Sequence, residues 1–170
     1  MLKADDLNRL TWGDWAKDVV HLDFDNTPYG EVKLWAFRIC KWFRLEGFVI
    51  LRSSMKYYIV KEKSKIIYEY KLGSYLVVFD RPVRWETNVR IMNWVALLSG
   101  NPDLQRYVRM QCIKQSSTAR ISEKRSKRNV KPIPRIVFRY GEQYRKVKWF
   151  LDTRKFLLNS LKRMKKEMKE

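Results

Sequence analysis

HLDFDNTPYGEVKLWAFRICKWFRLEGFVILRSS, residues 21–54, holds a strand, a stop, a helix and a second strand in one stretch. Val19 and Val20 lead into it, and the apolar run VVHLDF reads as a buried strand. Asn26, Thr27 and Pro28 then break the pattern. Thr27 is placed to cap a helix, with Pro28 at the first helical position and Glu31 in the first turn. Val32, Trp35, Ala36, Ile39, Cys40 and Phe43 recur at helical spacing. Gly47 supplies the natural stop, so the helix is expected to end near Glu46-Gly47, and FVILRSS follows as a strand. Within the first strand, Asp23 and Asp25 are two residues apart and project to the same face. Side-by-side carboxylates repel unless a cation joins them, which makes the pair a candidate for a divalent metal. The plainer reading is that Asp25 or Asn26 caps the helix.

Outward from this unit, MKYYIVKE is expected to pair with FVILRSS as a hairpin. KIIYEYK and YLVVFD read as two short strands separated by Leu72-Gly73-Ser74. A helix is expected from Trp85 to Leu98, stopping at Ser99-Gly100-Asn101-Pro102. A short helix from Asp103 leads into VRMQCI. TARIS and RIVFRY read as late strands around a basic loop, EKRSKRNVKPIP, and a Lys-rich amphipathic helix runs from Tyr144 to the end. This order predicts an α+β fold: an antiparallel sheet of the RNA-recognition-motif type (split βαβ) with helices on one face, plus the C-terminal basic helix. The first strand is expected near the middle of the sheet, with the helix-free face open to a ligand. We read residues 1–143 as one domain with its core in 18–125. Residues 144–170 form the basic helix, docked on that domain through Phe156, Leu157, Leu161 and Met164.

The chain is long enough for one sizeable core, and 45% apolar residues predict a packed globule. The formal net charge of +19 points to a polyanion as partner. From Ala119 onward eighteen Lys/Arg stand against five Asp/Glu, so the excess lies mostly in the C-terminal part. Lys and Arg there alternate with Tyr140, Tyr144 and Trp149, a pattern that grips phosphates by counterion release and stacks on bases. Arg120, Lys124, Arg125, Lys127, Arg128, Lys131, Arg135, Arg139, Tyr140 and Lys148 are the candidate contacts to nucleic acid, with DNA ahead of RNA. Trp35, Trp42 and Trp94 sit at helical spacing and read as packing. Cys40 and Cys112 form no CxxC pair, and His21 is the single histidine, so no zinc site is expected. His21 reads as a structural histidine, with a site role beside Asp23 as the alternative. The opening residues carry charge where a signal peptide would be apolar, and no run reaches membrane-spanning length. A cytoplasmic protein (host cytoplasm if viral) without a membrane partner is expected.

LDFDN, the helix Glu31–Arg44 and FVILRSSMKYYIV together resemble the archaeo-eukaryotic primase superfamily. That family carries hhhDxD on a strand, then a helix, then a hairpin with a serine and histidine motif. The likeness covers roughly residues 18–125. It implies a primase-polymerase of viral or mobile-element kind, performing two-metal nucleotidyl transfer with Mg²⁺ or Mn²⁺ on nucleotide triphosphates. Asp23 and Asp25 would hold metal. Ser53, Ser54, Lys56 and Tyr58 would contact nucleotide phosphates. Tyr58 stands where the family has histidine, and the turn lacks glycine. Asp80 is the candidate third catalytic acid, with VRMQCI as the alternative position. Asp80 discriminates between two readings: within metal-bridging reach of Asp23 and Asp25 it favours catalysis, and elsewhere it favours non-catalytic DNA or RNA binding on the same fold. DFDNT also resembles the DxDxT signature of haloacid-dehalogenase-type phosphatases, which would need a parallel sheet.

Overall fold

The structure, a computed structural model, describes residues 13–62, 65–122, 124–125 and 130–167, and the side chains of these except 57–62, 65–70, 124–125 and 130–131. The elements run β1 (Gly13–Ala16), β2 (His21–Thr27), α1 (Tyr29–Trp42), β3 (Gly47–Glu62), β4 (Lys65–Phe79), α2 (Trp85–Ser99) and α3 (Pro102–Lys114). Then follow β5 (Ser117–Arg120), β6 (Lys124–Arg125), β7 (Val130–Lys131), β8 (Arg135–Gly141) and α4 (Lys146–Glu167). The chain is α+β. Four strands form one antiparallel sheet in the order β2-β4-β3-β8, and β1-β5 and β6-β7 are separate two-stranded ladders.

The expected position of the first strand is corrected. β2 is an edge of the four-stranded sheet and pairs there with β4 alone, because RIVFRY joins the opposite edge beside β3. On its outer side β2 meets β5. The Tyr107 hydroxyl bridges them, 3.0 Å from the Thr118 carbonyl and 3.4 Å from that of His21.

The middle of the chain also differs from its expected form. FVILRSS and MKYYIVKE are one continuous strand, β3, and KIIYEYK and YLVVFD are another, β4. Ser53-Ser54 is a register shift in the ladder rather than a turn. Gly73 stays in the strand because a Cβ there would fall 2.5 Å from the Tyr75 ring. The segment EKRSKRNVKPIP is no simple loop, since Lys124 pairs with Lys131 and Arg125 with Val130.

α1 begins without a side-chain cap, for the Thr27 hydroxyl donates instead to the Asp25 carbonyl at 2.8 Å. It ends at Trp42, earlier than expected. Arg44 and Glu46 make the stop in left-handed conformation (φ 51° and 67°). Gly47 opens β3, where a Cβ would collide with the Glu142 carbonyl.

Alternation along the strands divides the core in two. Leu22, Phe24, Phe48, Ile50, Tyr75, Val77 and Phe79 face α1, α2 and α3. Val49, Leu51, Leu76 and Val78 face the other way, and α4 packs on them through Val147, Phe150, Leu151, Leu157 and Leu158. So helices lie on both faces, and the surface expected to be open is half covered. The buried stripe of α4 matches the expected one in part: Leu157 packs on the core, whereas Phe156 is 70% exposed. Among the described residues, no helix is long and apolar enough to cross a membrane.

Candidate carboxylate–arginine site

The part of this second face that α4 leaves uncovered carries the two carboxylates. β2 places His21, Asp23 and Asp25 on that side, and Leu22 and Phe24 on the other. Between Phe24 and Thr27 the β2–β4 ladder shifts register, and Asn26 takes a left-handed conformation (φ 50°), which asparagine tolerates well. The Asn26 side chain donates to Asp103 (3.0 Å) and that of Asn101 to Thr27 (2.9 Å), tying the end of β2 to the start of α3. Asn101 also caps α3 by accepting from the backbone N–H groups of Asp103 and Leu104.

Asp23 and Asp25 therefore sit together, as their spacing predicts, in a cleft with Ser53, Leu76, Thr118, Arg120 and Pro134. The enclosed space is about 40 Å³. One water needs roughly 10–15 Å³ on this measure, so there is room for a small ion and little else. The cation facing the pair is Arg120, a residue read in the sequence only as a contact to nucleic acid. Burial lowers its pKa, against the opposing pull of Asp23 and Asp25. An arginine so placed keeps its charge and offsets theirs. Its guanidinium also donates to the Pro132 carbonyl at 2.9 Å, which fixes the fork. Sequence reasoning missed Tyr107 as well. Burial pushes its phenol pKa well up, with Asp23 adding to the rise.

The two carboxylates and the Ser53 hydroxyl are hard oxygen donors of the kind Mg²⁺ takes, commonly through one or two carboxylates plus substrate phosphates. Asp80 is not among them. It is fully buried and accepts from the backbone N–H groups of Tyr144 (3.2 Å), Arg145 (3.0 Å) and Val147 (2.8 Å), so it caps α4. Asp23 pairs with Leu76, which leaves Asp80, one residue past the end of β4, four residues further along the chain and about 13 Å away. The alternative third position fails too, because VRMQCI lies in helix α3. Among the described residues, no group of three or more His, Cys, Asp or Glu side chains is placed to hold a metal.

The other candidates scatter. Ser53 donates to the Ser74 carbonyl at 3.4 Å, Ser54 lies opposite Ser74, and Lys56 is exposed further along β3. Tyr58 pairs with Tyr70, and its side chain lies outside the described residues. Lys127 and Arg128 are outside them entirely, as are the side chains of Lys124, Arg125 and Lys131. Arg135 and Arg139 are exposed on β8. The Tyr140 ring is exposed on one side and packs on the other, 4.7 Å from that of Phe37 and 5.4 Å from that of Phe48. Lys148 pairs with Asp152 on α4 at 2.6 Å.

His21 is structural. It is fully buried, and Nδ1 lies 3.1 Å from the Ser117 hydroxyl. Its Nε2 faces the Asp14 carboxylate at 3.7 Å. Burial pushes the imidazole pKa down to about 4, against the raising effects of Ser117 and Asp18. Burial pushes the Asp14 pKa up to about 6, with Lys146 pulling it down and Asp18 pushing it further up.

Compared with known proteins, the chain matches no family model, no curated protein and no solved structure.

Proposed function

We propose that the chain is a nucleic-acid-binding protein built on a sheet related to the RNA-recognition motif. The observation that carries the reading is charge: a net +19, with Arg135 and Arg139 exposed on an edge strand that holds no carboxylate. Exposed Lys155, Lys162, Arg163 and Lys166 on α4 extend the cationic surface. A phosphate backbone laid along it would release counterions. The β2–α1–β3 unit with β4 between its strands supports the likeness for that half of the sheet. In the RNA-recognition motif the fourth strand lies beside the first, and β8 departs from that. DNA is the favoured partner.

The reading is tested by binding of single-stranded DNA and RNA at several salt concentrations. A steep fall in affinity with salt is expected. Replacing both Arg135 and Arg139 by Gln should lower the slope by about 2 and weaken all sequences alike. Affinity that ignores salt would overturn it.

The second reading is divalent-metal-dependent nucleotidyl transfer of primase-polymerase kind. What favours it is the convergence of Asp23, Asp25 and Ser53 on one cleft. Mg²⁺ or Mn²⁺ at the carboxylates would supply charge neutralisation to a triphosphate lying at the mouth of the cleft. Asp80 serves α4 instead, which is why binding stands first. Primer synthesis on single-stranded DNA with Mg²⁺ or Mn²⁺ decides: product that vanishes in Asp23→Asn/Asp25→Asn restores catalysis to first place. A haloacid-dehalogenase-type phosphatase is disfavoured, since every described strand pair is antiparallel.

A further inference from the structure

Tyr75 and Leu76 point to opposite faces of β4. Leu76 lines the carboxylate cleft, whereas Tyr75 lines a separate pocket on the side that faces α1. This pocket, of about 390 Å³, is formed by Tyr29, Arg52, Met55, Lys71, Tyr75 and Val137. Its size falls within the range of small-molecule sites, roughly 300–1,000 Å³.

Arg52 and Lys71 are cations, and the Tyr29 and Tyr75 phenols are hydroxyl donors. No carboxylate is among the described lining residues. Burial raises both phenol pKa values, against the lowering effect of Arg52, so the hydroxyls keep their protons. The Tyr75 hydroxyl points to the Met55 sulfur at 3.9 Å, a weak acceptor that a stronger one readily displaces. At the rim, the Lys33 ammonium lies 5.9 Å from the Tyr29 ring centroid and 4.4 Å from that of Phe138.

The sheet register adds an independent observation. Arg52 lies directly opposite Arg135 across the β3–β8 ladder, and both are exposed. Like charges in that relation destabilise a sheet, and an anion beside them removes the penalty. The Tyr29 ring, Met55 and Val137 meanwhile offer apolar wall beyond what a bare phosphate would use.

We propose that this pocket binds a nucleotide through its phosphate. The Arg52 fork takes the phosphate oxygens, the Tyr29 hydroxyl donates, and the apolar wall meets the base or sugar. The nucleotide is either free or the 5′-phosphorylated end of a strand.

The test is calorimetric titration of the full chain with dATP in EDTA, which separates this site from any metal-dependent one. Saturable binding is expected, weakened at least about tenfold by Arg52→Gln, since a charge-assisted hydrogen bond is lost. Tyr29→Phe should weaken it several-fold, and Asp23→Asn should leave it unchanged. Arg52 is exposed and opposes Arg135, so the Gln variant should match or exceed the wild-type Tm. A 5′-phosphorylated oligonucleotide is compared with its unphosphorylated twin in the same proteins. A preference for the phosphorylated strand that Arg52→Gln abolishes assigns the site to strand ends, and a response to dATP alone assigns it to free nucleotide. No response to either, or equal binding by Arg52→Gln, overturns the proposal. Salt-sensitive strand binding without any pocket response would sink this site and leave the general binding reading standing. Pocket binding without it would do the reverse.

Discussion

The two faces of the four-stranded sheet are built on different terms. Toward α1, α2 and α3 the covered part of the face is apolar, running from Leu22 and Phe24 on β2 to Phe48 and Ile50 on β3, and the cations Arg52 and Lys71 stand beside it. Toward α4 it changes character partway. Val49, Leu51, Leu76 and Val78 are covered, and then Asp23, Asp25, Ser53 and Arg120 take over. β2 makes the contrast within one strand, because Leu22 and Phe24 face one way and His21, Asp23 and Asp25 the other. One face carries the stability. The other stays partly open because carboxylates cannot serve as the floor for a helix without losing water.

Breaking the first face should produce the largest effect. Phe48 is fully buried against Phe37, Phe79, Phe138 and Tyr140. Phe48→Ala should cost about 3–5 kcal/mol in urea unfolding, the range for a large aromatic removed from a core. A loss under 1 kcal/mol would show that this face is not the chief support.

Lifting the cover of the second face should cost less. Asp80→Ala leaves the Tyr144, Arg145 and Val147 N–H groups without their acceptor, for a loss of about 1–3 kcal/mol. Amide exchange should speed up at the start of α4 and stay unchanged in α1. Equal acceleration in both helices would contradict a local capping role.

The smallest effect sharpens the comparison through pH. Below its unfolded value, the raised folded pKa of Asp14, about 6, contributes stability that is lost as pH rises from near 4 to 6. The depressed folded pKa of His21, about 4, acts in the opposite sense: its stability is present above the unfolded value and lost as pH falls from near 6.5 to 4. Across pH 4 to 6 the two slopes oppose each other. Asp14→Asn removes one of them, so stability should then rise with pH through this window. The slope should approach about 1.4 kcal/mol per unit, the value for one proton. Urea midpoints at pH 4.5 and 6.5 that do not move apart in the variant would dismiss the pairing.

Local pattern carried much of this fold. The α1 and α2 stripes were legible because apolar side chains must recur at helical spacing to face a sheet. The shared side of Asp23 and Asp25 follows from strand alternation alone. What stayed hidden was non-local. Nothing in RIVFRY says which edge it joins, and that choice put β2 at the rim. Gly73 looked like a turn because its real constraint is the Tyr75 ring lying across it. Ser53-Ser54 looked like a hairpin tip and is a register shift. Arg120 was one cation among many, and only the β5 strand brings it to the carboxylates. Asp80 was misassigned for the same reason, as its partners lie 64 to 67 residues away.

That last separation makes α4 a conditional helix. Beginning a helix is the unfavourable step, since the first turn must be ordered before its bonds accumulate. The acceptor that starts this one belongs to the end of β4. Cut out as a peptide, residues 146–167 would keep their stripe and their lysines but lose the group that orders their first turn. Within the chain, whatever loosens the end of β4 also loosens α4, so helix content at one end of the protein reports on strand pairing at the centre of it.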